Sequence, residues 1–342
     1  MKKHIVLISL LLSFWLLLLN QTTQSVSATT TENQQKVTFM IYPEIPKDNL
    51  GGDKLGYFNL RLEPNTEKTI RIKVMNPTDK TITVKAAVRD AQTADNGQID
   101  YLSATPIPKH ILAQPGSQFL TVKPQLTVKP GAEKWLTVKI KMPENSFKGK
   151  KAMAINLSAM GPTGGSVNNR YVYAVGVTLN GTKVIKKDLK RLEMPTMQAG
   201  FVHKKAALKF KIVNPDPVFL KKSQLSIKLT NQKIGFFNYQ LDLKKMHIAP
   251  NSKFNVNLML GGQRLVPGTY TMVAKFKSDQ YKTQIKKTVQ ITKNSANYIN
   301  KHNIIYQRKR KLILKISALL LIMIIISIYY FKFHGSKGLE ND

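Results

Sequence analysis

Residues 70–88 read IRIKVMNPTDKTITVKAAV. Ile70, Ile72 and Val74 alternate with Arg71 and Lys73, the period-two pattern of a strand with one buried face. Asn76-Pro77-Thr78-Asp79-Lys80 follows and turns the chain. Proline presets φ there, and Asn or Asp side chains bond their own backbone. Ile82, Val84, Ala86 and Val88 then alternate out of the turn with Thr83 and Lys85. The stretch is a strand, a turn and a strand.

The same grammar extends in both directions. Period-two patterning begins near Val37. Asp95-Asn96-Gly97 predicts a turn ahead of Ile99 and Tyr101, and the proline-rich passage 105–115 reads as loop. Lys129-Pro130-Gly131-Ala132 introduces Leu136, Val138, Ile140 and Met142, set against Thr137, Lys139 and Lys141. Residues 152–159 and 171–179 predict two more strands, joined by a glycine-rich turn at 161–165. Beyond a boundary near 180–190 the order repeats. Leu208, Phe210 and Ile212 lead into Asn214-Pro215-Asp216-Pro217, and Leu225, Ile227 and Leu229 resume the alternation. Pro250-Asn251 takes the place of Pro130-Gly131, ahead of Phe254, Val256, Leu258 and Leu260. Pro267-Gly268-Thr269 introduces residues 270–276, and 281–291 predicts the last strand. No segment outside the two hydrophobic ends carries a 3.6-residue period. Short strands at regular spacing with Pro and Gly turns predict an all-β chain of two tandem immunoglobulin-like β-sandwich domains, residues 36–180 and 181–293.

The ends have a different character. Residues 312–331, LILKISALLLIMIIISIYYF, are long enough to cross a bilayer core as a helix. Lys315 lies a turn from the basic edge 308–311, where its amine can snorkel to the interface. Lys2, Lys3 and His4 precede the apolar run 5–19, and Val26-Ser27-Ala28 has the small-residue spacing of a cleavage site. Residues 1–28 therefore read as a signal peptide, 294–311 as a polar basic stalk continuing the helix outward, and 332–342 as a cytoplasmic tail. This topology puts the body outside a single-pass cell membrane. The basic edge 308–311 then lies on the outer side, against the positive-inside tendency, which long translocated domains largely escape. No Leu-Pro-x-Thr-Gly sequence precedes the span, so it is expected to stay as the anchor.

Cysteine is absent, so stability must come from packed cores alone. Residues 36–180 hold 20 Lys and Arg against 11 Asp and Glu, net +9; residues 181–293 hold 23 against 5, net +18. Such charge bears on partners rather than fold. Outside a cell the available polyanions are wall polymers, lipid headgroups and acidic proteins, and nucleic acid is not an expected partner. His110, His203, His247, His302 and His334 occur singly, without metal-ligand spacing. No nucleophile elbow or phosphate loop is present, and Glu63 and Glu67 read as solvated strand-end residues. The expectation is a binding protein, not an enzyme, with no catalytic, metal or cofactor site.

In the second half, Met246-His247-Ile248-Ala249-Pro250-Asn251-Ser252-Lys253-Phe254, with Pro267-Gly268-Thr269-Tyr270 downstream, resembles a signature of cell-surface proteins carrying paired DUF916 and DUF3324 domains. In the first half, Gly56-Tyr57-Phe58-Asn59-Leu60, Asn76-Pro77 and Asn96-Gly97-Gln98-Ile99-Asp100-Tyr101 resemble the other domain of that family. These are the WxL-interacting proteins of Gram-positive bacteria. The resemblance implies partnership with secreted proteins bearing a Trp-x-Leu wall-binding domain. It further implies peptidoglycan contact through the first domain and partner or host-matrix contact through the second. The chain's own Trp15-Leu16-Leu17 lies in the signal peptide and carries no such meaning. The chain departs from the family in its strongly basic balance. The signature residues Met246, Ala249, Pro250, Asn251, Ser252, Phe254, Pro267, Gly268 and Tyr270, with Tyr57, Phe58, Asn76, Pro77, Gly97 and Tyr101, read first as turn and core positions. Alternatively, Asn251 and Ser252 face a partner, and Tyr57, Phe58 and Tyr101 stack on sugars. Two readings stay open: a scaffold holding a Trp-x-Leu protein and the wall near the membrane, and an adhesin binding host matrix, acidic glycans or teichoic acid through its basic second domain.

Overall fold

The computed structural model describes residues 38–161, 169–235 and 237–335. The signal-peptide reading, the glycine-rich turn after Gly161 and most of the tail lie outside the described residues.

The first sandwich is built from two sheets. One has the order β1-β3-β9-β7, from Met40–Glu44, Glu67–Met75, Glu133–Lys141 and Leu120–Val122. The other has the order β2-β11-β10-β4-β8, from Phe58–Leu60, Arg170–Asn180, Lys150–Met160, Ile82–Asp90 and Gln125–Val128. The second sandwich pairs a three-stranded sheet with a four-stranded one. The former is β12-β13-β16, from Met197–Val202, Lys205–Asn214 and Ser252–Met259. The latter is β15-β14-β17-β18, from Asn238–Ile248, Leu220–Asn231, Gly268–Lys277 and Lys282–Ile291. A two-stranded ribbon, β5 (Gln92–Thr93) with β6 (Ile99–Asp100), projects from the first sandwich.

The alternating apolar residues fill the cores as expected. Ile70, Ile72, Val74, Leu136, Val138 and Ile140 lie inside the first, and Leu208, Phe210, Ile212, Leu225, Ile227 and Leu229 inside the second. Strands β3 and β4 belong to different sheets, so the Asn-Pro turn between them arches across the sandwich. The buried Asn76 side chain donates to the carbonyls of Lys80, Val128 and Lys129, while its Oδ1 accepts from the Thr78 amide. The buried Asn214, between β13 and β14, does the same work. It donates to Val218 and Ala249 carbonyls and accepts from the Asp216 amide. In each half the Asn thus ties the crossover to the strand end ahead of the Pro-Gly or Pro-Asn turn. The repeated grammar is a repeated hydrogen-bond device.

Strands β7, β8 and β12 lie in stretches where no strand was expected, and two further features differ from the sequence reading. β15 was not anticipated because its alternation changes phase. Tyr239, Leu241 and Leu243 point inward, and then Met246 and Ile248 do. The register shifts twice there, once around Lys222 (φ 50°) on β14 and once around Lys245 (φ 58°) on β15. The stretch 294–311, read as a stalk that continues the membrane helix outward, does so only from Ile304 and holds a separate helix before it. α1 (Lys293–His302) buries Ala296 and Ile299 against the second sandwich, an i, i+3 stripe too short to register as a period. Thr292 caps its start, accepting from the Ser295 amide. Asn303 closes α1 through its amide and opens α2 (Ile304–Gly335) by accepting from the Tyr306 amide. Of α2, residues 304–329 are long and apolar enough to cross a membrane, and none of that window is buried in protein.

Candidate functional site

The signature motifs of the two halves meet each other. The β5–β6 ribbon of the first sandwich lies on the β15–β16 turn of the second. Thr93 Oγ1 and Ser252 Oγ are 2.8 Å apart and both buried, and Thr93 Oγ1 also accepts from the Ala249 amide at 3.1 Å. The His247 amide donates to Gly97 O at 2.8 Å, and Gln98 Nε2 to Lys245 O at 3.0 Å. Asp95 Oδ1 accepts from the Asn255 amide at 3.0 Å. Gly97 sits at φ +76°, and a Cβ there would fall 2.7 Å from Met246 Cγ, so only glycine fits the turn against that side chain. Ala91, Ala152 and Ala249 form a small buried cluster, packed by Ile99, Tyr101 and Phe219. On the other flank the Lys150 amide donates to Pro217 O at 2.7 Å. The linker is pinned too: Asp216 accepts from the Lys190 and Arg191 amides.

This placement revises the alternative reading of the motif. Ser252 is fully buried in the joint and is not displayed, while the half-buried Asn251 donates to Pro215 O. Phe254, Met246 and Tyr270 are core residues, with Tyr270 Oη donating to Val266 O beyond Pro267-Gly268. Phe58 is completely buried and Tyr101 packs in the alanine cluster, while Tyr57 lies against Gly176. Phe58 stands on the inward phase of its strand and offers no ring face to a sugar, whereas Tyr57 and Tyr101 are half-buried.

Aromatic rings do face outward elsewhere on the first sandwich. In the β1-β3-β9 sheet, cross-strand register aligns Tyr42, Lys73 and Trp135 in one row and Glu44, Arg71 and Thr137 in the next. Tyr42 is 47% and Trp135 45% exposed. Arg71 lies 4.7 Å above the Trp135 ring centroid and Lys73 lies 5.6 Å from Tyr42. Arg71 Nε and Nη2 donate to the two Glu44 oxygens at 2.6 and 2.7 Å, and this bond holds the Glu44 carboxyl below the usual carboxylate range. Lys73 also pairs with Glu133 at 3.1 Å. The row is a flat, partly apolar ledge with fixed donors and acceptors at its margins. Its signal was present in the sequence: Trp135 precedes Leu136 and so falls on the polar phase, where a large ring has no core to fill.

The second sandwich presents a different surface. Register places Lys228, Lys244, Lys275, Lys277, Lys282 and Lys286 on the outer face of the β15-β14-β17-β18 sheet, all exposed, with Asp242 among them. Lys277 and Lys282 are direct cross-strand partners, a like-charge pairing that costs stability. A depression of about 560 Å³ crosses this face. Between the sandwiches a cleft of about 420 Å³ is lined by Arg61, Lys150, Lys183 and Lys221, with Asp279. Burial, then the charges of Lys221 and Arg61, hold the Lys150 ammonium below the usual lysine range. Among the described residues no cluster of His, Asp or Glu is placed to hold a metal ion.

Two family models match the chain. "WxL Interacting Protein, peptidoglycan binding domain" matches residues 39–159 and "WxL Interacting Protein, host binding domain" matches residues 162–301. Strand β11 (170–180), within the second match, pairs with β10 and β2 of the first sandwich. No curated protein matches the chain. Among solved structures, a chaperone–tip adhesin complex of CFA/I fimbriae is 12% identical over 75% of this chain and 100% of that one, with a TM-score of 0.30. The CsuC-CsuE chaperone–tip adhesion subunit complex of Acinetobacter baumannii is 14% identical over 64% and 89%, TM-score 0.30. A PapD-like domain of human CEP192 is 5% identical over 48% and 99%, TM-score 0.27.

Proposed function

The chain belongs to the WxL-interacting protein family, and from that premise we propose that it is a membrane-anchored, extracellular scaffold that grips wall glycan with its first sandwich and a WxL-domain surface protein with its second. It acts by binding, not by catalysis. The Tyr42–Trp135 ledge carries this reading. Exposed rings on a rigid sheet offer flat apolar area at little entropic cost, and the Arg71–Glu44 and Lys73–Glu133 pairs at its edge suit the hydroxyl, amide and carboxylate groups of peptidoglycan. The apolar helix ending in the described residues at 335 supplies the anchor.

The test is binding of the full chain, in mild detergent, to purified peptidoglycan sacculi. Trp135→Ala is expected to weaken retention at least tenfold, as removal of a central aromatic anchor costs more than about 1.4 kcal/mol. Tyr42→Ala weakens it less. Unchanged retention by the double variant would move the glycan contact elsewhere.

A second reading rests on the lysine face of the four-stranded sheet. Six exposed lysines around one carboxylate suit an acidic host or wall polymer, the adhesin role. The two readings separate by salt, since binding through exposed charges weakens as ionic strength rises.

A further inference from the structure

Where α2 leaves the second sandwich, three elements converge around a concavity of about 770 Å³. Arg264 comes from the β16–β17 loop, Lys301 from the end of α1, and Arg310 and Lys311 from the second and third turns of α2; Tyr306 and Gln307 complete the wall. No Asp or Glu lines it. The loop and the two helices that carry the four cations are held together by neutral bonds. Asn300 clasps Leu265 from outside, donating to its carbonyl and accepting from its amide, both at 2.8 Å. Tyr239 clasps the same loop from inside: its hydroxyl donates to Arg264 O and accepts from the Val266 amide. The buried Asn303 donates to Gly261 O at 2.9 Å, and Gln307 donates to Asn300 O at 2.8 Å. An adjoining recess of about 200 Å³ runs along Ile313 and Leu314, in the first turn of the apolar run 312–331.

We propose that this concavity binds the phosphate of an anionic phospholipid headgroup from the leaflet facing the body, with its acyl chain lying along Ile313 and Leu314. The inference rests on the membrane-anchored reading above. Four uncompensated cations fixed at the mouth of an apolar helix repel one another unless an anion joins them. At that depth the anion in reach is a lipid phosphate, and each nearby Lys or Arg adds about 1 kcal/mol of attraction to an anionic surface. The same residues sit on the side of the span where the positive-inside tendency disfavours them, and a lipid ligand accounts for their retention there.

The experiment uses the full chain in micelles holding equal amounts of phosphatidylcholine and phosphatidylglycerol, with retained lipid counted by native mass spectrometry. Phosphatidylglycerol is expected to be retained preferentially. Arg264→Gln and Lys301→Gln, both exposed and outside the span, should each reduce that preference roughly fivefold. Lys228→Gln with Lys275→Gln, on the distant sheet face, should leave it unchanged. Equal retention of the two lipids, or an equal effect of both variant sets, overturns the inference. So does a soluble poly(glycerol phosphate) that displaces the lipid completely, which would make a wall polymer the source of the phosphate. Alkaline carbonate treatment of cell membranes separates the two layers of argument. A chain released by carbonate overturns the anchored reading and this inference together, whereas a chain that stays but shows no lipid preference overturns the inference alone.

Discussion

Gly97 and Met246, one from each family motif, meet where the two sandwiches join. A side chain at Gly97 collides with Met246 and is strained at φ +76°. Gly97→Ala is therefore expected to lower stability by about 2 kcal/mol, read from a shift in the denaturant midpoint. Met246→Ala alone opens a cavity in the second core and costs about 2–5 kcal/mol. Combined, the two changes should cost less than their sum, because truncating Met246 removes the Cγ and Cε atoms that obstruct the new methyl. Strict additivity would show that the contact is incidental. The motif residues could be recognised in the sequence, but not their meeting. Thr93 and Ser252 are 159 positions apart, and nothing in either local pattern names the other. Trp135 was the reverse case, legible from its phase alone.

At the scale of elements, alternation and turn chemistry located β3, β4, β9, β10, β11, β13, β14, β16, β17 and β18, since each has an apolar face to bury. What escaped did so for a physical reason. The ribbon β5–β6 has two residues per strand, too few for a period. The bulge at Lys245 splits β15 into two phases, and α1 shows only two inward residues because its remaining surface meets solvent. The bulge also stores strain, as a non-glycine residue in the left-handed region costs about 1 kcal/mol or more. Lys245→Gly is expected to raise the unfolding free energy by about 1 kcal/mol, since its carbonyl, which accepts from Gln98, is retained. A loss of stability in chemical denaturation would mean that the lysine stem contributes more packing than the backbone relaxation returns.

Over the whole molecule, the two sandwiches differ in charge, net +9 for residues 36–180 and net +18 for residues 181–293. The lysine face should bind acidic polymer in a salt-dependent way, because exposed charges are screened beyond about 8 Å at physiological ionic strength. Replacing Lys275, Lys277 and Lys282 by Gln should abolish salt-sensitive retention on heparin and leave capture of a WxL-domain protein intact, both measured on the full chain at low and high salt. If WxL capture is also lost, the partner sits on this face and the two readings merge. The clasp at the base of the second sandwich has a mechanical consequence. A pull arriving through α2 does not fall on the edge strand β18 alone. Asn300 and Asn303 also pass it to the loop between β16 and β17, so tension enters the sandwich along two chain segments at once. On the anchored reading proposed above, a pull on the chain would thereby meet resistance to peeling of its last strand, the step that would otherwise begin its forced unfolding.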